Sequence, residues 1–180
     1  NSKLDPEALV EAIRQATVTF SESGRLSDDL TCVALKIEEP QLALARADME
    51  IRSDLTELSR AREFVRTFCH HLLLPVDEES VGKLELAVTE VCSNIIKHAY
   101  HSRADQWIHL EAEAFPGSVS IRLHHLGDSF DPSTVSPPAL DGSQESGFGI
   151  YLITQSVDEV RYYRDERGRN CVALVKVHTS

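Results

Sequence analysis

The stretch Ser80–Tyr100, SVGKLELAVTEVCSNIIKHAY, limits this chain more than any other. Leu84, Val88, Val91, Ile95 and Ala99 recur three or four residues apart, which predicts one apolar face of a helix. Beside that face runs a polar row of Glu90, Asn94, Lys97 and His98, at spacings that stack side chains one above another. A helix this apolar packs against a sheet, so a carboxylate and a carboxamide one turn apart need a partner there. A hydrated Mg²⁺ with a phosphate would serve both, since that ion takes hard oxygen ligands and keeps several waters. A solvated helix face is the plainer account of an isolated E-x-x-x-N. The rest of the chain has to decide between them.

With 180 residues, the chain has room for one ordinary domain, or one domain and an appendage. No segment approaches the ~20 apolar residues of a membrane helix. The opening from Asn1 carries no leader and reads as mid-chain sequence, so a fragment of a longer protein is expected. Acidic residues outnumber basic ones by 29 to 18, a net charge of −11, which argues against nucleic acid and anionic membranes as partners. Cys32, Cys69, Cys92 and Cys171 have no metal-ligand spacing and read as buried thiols in a reducing cytosol.

In chain order, residues 5–20 predict a helix with Asp5 as cap and Pro6 in its first turn. LTCVALKI predicts a short strand, and Glu38-Glu39-Pro40 mark a boundary. A strand is expected over Gln41–Ile51. A helix follows from Asp54, with Asp54 and Glu57 placed as a capping box, and Pro75 ends it. After the Ser80–Tyr100 helix, alternation at Ile108, Leu110, Ala112 and Ala114 predicts a half-buried strand. Pro116-Gly117 turns it back onto Val119, Ile121 and Leu123. Residues 125–149 form a loop of the length used for lids and binding loops. A short helix over Gly149–Ser156 and a hairpin of Val160–Arg164 with Asn170–Val177 close the chain. Antiparallel strands with helices gathered on one face make an α+β sandwich.

Two clusters flank the long loop: His125-Leu126-Gly127-Asp128-Ser129-Phe130-Asp131-Pro132 and Glu145-Ser146-Gly147-Phe148-Gly149-Ile150-Tyr151-Leu152-Ile153. Glycines at 147 and 149, just ahead of a helix, let backbone N–H groups approach an anion. Alone, G-x-G is weak. Following E-x-x-x-N in this order and spacing, the clusters become specific. Over residues 41–179 the chain resembles the GHKL (Bergerat-fold) ATPases, and among them the anti-sigma-factor serine kinases. TEVCSNIIKHAY is similar to that family's N box, LGDSFDP to its first glycine box, ESGFGIYLI to its second, and VDEVRYYRDERGRNCVALVKV to its closing hairpin. Histidine kinases share the nucleotide fold, but no upstream dimerisation helix with a phospho-accepting histidine is visible, and the lid is short for that class.

The resemblance implies a two-layer α/β sandwich with a mixed, mostly antiparallel sheet, ATP and Mg²⁺ as cofactors, and a cytoplasmic protein serine/threonine kinase. Its substrate would be a small anti-sigma-factor antagonist protein in a partner-switching pathway. By position, Asn94 matches the Mg²⁺ ligand and Glu90 the general base for the substrate hydroxyl. Gly127 falls at the adenine end and Gly147 and Gly149 at the phosphate end; Lys97 and His98 are further phosphate-side candidates, and Phe130, Ser146 and Phe148 are further nucleotide-binding candidates. Phosphoryl transfer asks the protein chiefly to position groups and neutralise charge. The chain departs from the family at His125, where an aspartate accepts a hydrogen bond from the adenine amino group. A neutral imidazole nitrogen can accept one such bond, depending on tautomer. Weaker ATP binding than the family norm is expected. The alternative is a nucleotide-independent module that sequesters an anti-sigma factor, its antagonist or a sigma factor. Kinases of this group often pair, and the strand over 41–50 offers an edge for a homodimer.

Residues 1–38 cannot bury a core alone. Ser27-Asp28-Asp29-Leu30-Thr31-Cys32-Val33-Ala34-Leu35 resembles the closing strand of PP2C-type phosphatases, although the other metal carboxylates of that site are missing; a charged loop capping a strand explains the stretch equally well. Of the eight histidines, the adjacent pairs His70-His71 and His124-His125 point apart and cannot share one ion. Trp107 is expected to pack at a strand edge or in the core.

Overall fold

Period-two alternation on both sides of Pro116-Gly117 produces the centre of a five-stranded sheet. The computed structural model describes residues 10–13, 15, 42–73, 76–130 and 148–178. The chain divides into two compact units, residues 1–41 and 42–180. In the first, residues 10–13 and 15 are helical, within the helix expected over 5–20. The LTCVALKI strand and the Ser27–Leu35 stretch lie outside the described residues.

In the second unit, β1 (Ala45–Arg52), β2 (Trp107–Phe115), β3 (Ser118–His125), β4 (Glu159–Arg164) and β5 (Asn170–Val177) pair in the order β1-β2-β3-β5-β4. Every neighbouring pair is antiparallel, so among the described strands the sheet is not mixed. The register places Met49, Leu110, Leu123 and Val172 in one row and Ala112, Ile121 and Leu174 in the next. These side chains face three helices: α1 (Leu58–His70), α2 (Glu78–Asn94) and α3 (Phe148–Ser156). Helix α2 runs between α1 and α3 and packs on β3 and β5. Its predicted apolar face is the one that is buried, with Leu84 and Val88 wholly enclosed. Ile121 sits opposite in the sheet, also wholly enclosed. Removing one methylene there leaves a small void, so Ile121→Val should cost about 1 kcal/mol of stability. Urea unfolding would show this as a lower midpoint at unchanged slope.

The other face of the sheet carries the polar half of the alternation. Glu113 takes Arg46 at 2.9 Å and Arg122 at 2.8 Å, while Glu111 takes Arg122 and His124, each at 3.2 Å. Such cross-strand pairs satisfy polar side chains on a face the helices do not cover. His124 belongs to this face and His125 to the core face, as the alternation requires. Trp107 stands half exposed beside β1 with the Arg52 guanidinium 3.9 Å above its ring, an edge contact. Gly117 turns the β2–β3 hairpin at φ +82°, a conformation that side-chain-bearing residues seldom adopt.

The expected capping box at Asp54 does not form. Asp54 Oδ1 accepts from both the backbone N–H and the hydroxyl of Thr56, at 2.8 Å each, and Glu57 pairs with Arg60 instead of reaching back. The reason is local: residues 55–57 form a tighter 3₁₀ turn ahead of α1, which brings the second residue rather than the third under the cap. Helix α2 starts two residues before Ser80, where Asp77 accepts from the Ser80 N–H at 2.8 Å. Cys69, Cys92 and Cys171 are free and buried, and burial pushes the Cys92 thiol up to about 12; Cys32 lies outside the described residues.

Candidate functional site

The helix carrying Glu90 and Asn94 does not end as a regular α-helix. From Ile95 to Ala99 it widens into a π turn, closed by the Tyr100 N–H on the Ile95 carbonyl at 2.9 Å. A turn closed five residues apart holds an extra residue, and such turns concentrate at functional sites. His98 borders the cavity described below, whereas Lys97 is exposed and is not among its lining residues.

The Ala99 carbonyl, at the end of the π turn, accepts the Asp128 N–H at 3.0 Å. That bond seats the loop after β3 on the end of α2. Gly127 makes the seating possible: a Cβ there would lie 2.5 Å from the Ala99 carbonyl oxygen and 2.9 Å from the Tyr100 ring. From the other side the Asn170 carboxamide donates to the Gly127 carbonyl at 2.7 Å. Tyr100, buried on the core side, donates its hydroxyl to the Trp107 carbonyl at 2.8 Å and accepts the Leu126 N–H at 2.9 Å. Asp128 turns outward to His101 at 2.8 Å, so it serves the loop.

Between this loop, α2 and α3 lies an apolar cavity of about 80 Å³ that opens to solvent. Val91, Ile95, Ile150, Ile153 and Val172 give it apolar walls, and Asn94, His98, His125 and Asp128 supply polar groups. Phe130 also lines it and stands 5.7 Å from the Tyr162 ring at a tilt of 52°. His125 is buried, 4 % exposed, and its Nδ1 finds no hydrogen-bond partner among the described residues. Desolvation, and then the neighbouring His124, push its pKa down to about 4, so the ring is neutral at physiological pH.

At the rim, the backbone of Gly149 lies directly on the Glu90–Asn94 pair. A Cβ built on Gly149 would stand 3.1 Å from Glu90 Oε2 and 3.6 Å from both Asn94 side-chain polar atoms. Glu90, Asn94, Phe148 and Gly149 are all partly exposed. A carboxylate and a carboxamide thus meet the first turn of α3, whose unpaired N–H groups carry partial positive charge. Ser146 and Gly147 lie outside the described residues. The donors fit Mg²⁺ in one way only. No group of three or more His, Cys, Asp or Glu able to hold a metal is found among the described residues. An ion held by Asn94 would need phosphate oxygens and water for its remaining ligands, the usual habit of Mg²⁺.

Of the residues singled out in the sequence, Asn94, His98, His125 and Phe130 line this cleft, Glu90 and Gly149 meet beside Asn94, Gly127 seats the loop on α2, and Phe148 opens α3. Sequence reading missed Tyr162, Ile150, Ile153 and Val172, whose apolar character in β4, β5 and α3 looks like ordinary core. It also missed Tyr100 and Asn170, the clamps of the Gly127 loop. No described helix is long and apolar enough to cross a membrane.

Comparison with known proteins agrees with this architecture. Serine-protein kinase RsbW of Listeria innocua is 30 % identical over 96 residues, covering 49 % of this chain and 61 % of that protein. Serine-protein kinase RsbW of Bacillus subtilis is 30 % identical over 92 residues, covering 46 % and 57 % respectively. The chain therefore spans about six-tenths of the length of these relatives. The crystal structure of RsbU and RsbW domains from Mycobacterium tuberculosis superposes with a TM-score of 0.53 at 14 % identity, over 74 % of this chain and 32 % of that one, a likeness of fold. Residues 51–176, from the end of β1 to the end of β5 and including every described residue that borders the cleft, match the family described as histidine kinase-like ATPase domain. With that span covering well over half its length, the chain belongs to the histidine kinase-like ATPase family.

Proposed function

We propose that this chain is an ATP- and Mg²⁺-dependent protein serine/threonine kinase of the anti-sigma-factor type, acting on a small antagonist protein in a cytoplasmic partner-switching pathway. One observation carries the reading: the backbone of Gly149 seats against Glu90 and Asn94 at the mouth of an apolar cleft. In this reading the base enters between Phe130, Ile150 and Ile153 and ends on His125. The triphosphate runs toward Phe148 and Gly149 at the start of α3, with His98 and Lys97 on the solvent side. Asn94 would hold Mg²⁺, which would neutralise charge on the phosphates. Glu90 takes the proton of the substrate hydroxyl as its oxygen bonds to the γ-phosphorus. The bond to the β–γ bridging oxygen breaks and ADP leaves.

The RsbW relatives are named serine-protein kinases, which supports a protein serine as the acceptor. We assign residues 41–180 to the kinase domain and residues 1–38 either to the tail of a preceding PP2C-like phosphatase domain or to an N-terminal arm. β1, an edge strand among the described strands, is the surface through which two copies would pair.

A second reading keeps the fold without the chemistry, as a binding module for an anti-sigma factor, its antagonist or a sigma factor. It draws on His125, which stands where the resemblance places a carboxylate. Calorimetric titration with ATP, with and without Mg²⁺, separates the two. The kinase reading expects saturable heat at or below millimolar nucleotide, strengthened by Mg²⁺ and weakened in Asn94→Ala. A wild-type chain that gives no heat at millimolar MgATP favours the binding module.

A further inference from the structure

The polar end of the cleft is closed by a group with an undecided proton. His125 is almost wholly enclosed, the apolar residues Val91, Ile95 and Val172 help line the cavity it faces, and Tyr100 stands edge-on to it at 5.9 Å. Which nitrogen of a neutral imidazole carries the proton is ordinarily set by the hydrogen bond its other nitrogen makes. Here Nδ1 has no such partner among the described residues, so the protein does not select a tautomer. Burial, which holds the pKa near 4, keeps the ring from becoming a pure donor. Asp128, the other charged candidate on the wall, is exposed and engaged by His101.

We propose that His125 makes this pocket indifferent to the 6-substituent of a purine, so that 6-amino and 6-oxo nucleoside triphosphates are accepted alike. The inference rests on the nucleotide-binding reading above and adds to it the class of base admitted. A carboxylate at this position accepts hydrogen bonds only and would reward an amino group while repelling a carbonyl. An imidazole with a free tautomer presents a lone pair to the amino group of adenine or an N–H to the carbonyl of hypoxanthine. Binding either base also fixes the tautomer.

The test is calorimetric titration of the chain with MgATP and MgITP, which differ in the base only at the 6-position and the adjacent ring nitrogen. The wild-type chain should bind the two with Kd values within about threefold of each other, since each base finds one partner of the right polarity. His125→Asp should favour ATP by about tenfold or more, because the carbonyl then faces an unpaired buried acceptor. His125→Asn, whose carboxamide offers both a donor and an acceptor, should stay indifferent. Thermal melting checks that both variants fold, and the wild-type ratio decides if the aspartate variant does not. Wild-type preference for ATP above about tenfold overturns the inference and leaves the nucleotide site standing. A folded His125→Asp that gains no preference overturns it likewise. Failure of the wild type to bind either nucleotide at millimolar concentration overturns both the inference and the kinase reading.

Discussion

Glu90→Gln should lower phosphoryl transfer by about 10²–10⁴-fold, the usual worth of a positioned general base, while nucleotide affinity stays within about threefold of wild type. The substitution keeps the length and shape of the side chain and removes only its capacity to take a proton. Glu90 stands on α2 one turn before Asn94, held against the backbone of Gly149, where a reacting hydroxyl would come up to the γ-phosphate. The carboxamide at 90 would still occupy that space, so the cleft and its walls should be undisturbed. Transfer of label from γ-labelled ATP to a candidate antagonist protein, with calorimetry on the same preparation, reads both quantities. Transfer at the wild-type rate would remove Glu90 from the chemistry.

Gly127→Ala should be the most damaging single methyl addition in the loop after β3. The added carbon would fall 2.5 Å from the Ala99 carbonyl oxygen and 2.8 Å from its carbonyl carbon. Both are backbone atoms at the end of a helix packed into the core, so they cannot swing aside as a flexible side chain would. The loop must lift instead, breaking the Asp128 N–H bond to Ala99 and the Asn170 bond to the Gly127 carbonyl. Overpacking of this kind costs about 1–3 kcal/mol, and the lost hydrogen bonds set the value at the upper end. Chemical denaturation should show that loss together with weakened nucleotide binding, because His125 lies two residues before the displaced glycine. At Gly149 the closest atom is the end of the Glu90 side chain, at 3.1 Å, which can give way. Gly149→Ala should therefore cost less stability and more activity. Equal stability of Gly127→Ala and wild type would show that the loop is not seated as described.

The layers of this fold were open to inspection in the residues themselves. Alternation in β2 and β3 is uninterrupted, Pro116-Gly117 marks their turn, and the apolar face of α2 reads cleanly at three-and-four spacing. The π turn was not, because it depends on a hydrogen bond from Tyr100 to Ile95 that no single side chain announces. Lys97, expected on the phosphate side, is exposed and is not among the residues that line the cleft. The start of β1 was set four residues early, since Leu42 and Leu44 continue the apolar pattern, yet the strand pairing begins at Ala45 opposite Ala114. Motif residues were legible because chemistry restricts their type. The cavity walls were not, because isoleucine and valine in a wall look the same as isoleucine and valine in a core.

The account stands or falls on what occupies the space between Asn94, Gly149 and His125. A crystal structure of the chain with Mg²⁺ and a non-hydrolysable ATP analogue measures this directly. It should show the ion about 2.0–2.1 Å from Asn94 Oδ1, the distance Mg²⁺ takes to oxygen, with the base edge against His125 and the γ-phosphate facing Glu90. A nucleotide bound elsewhere, or one bound with its metal away from Asn94, would contradict it.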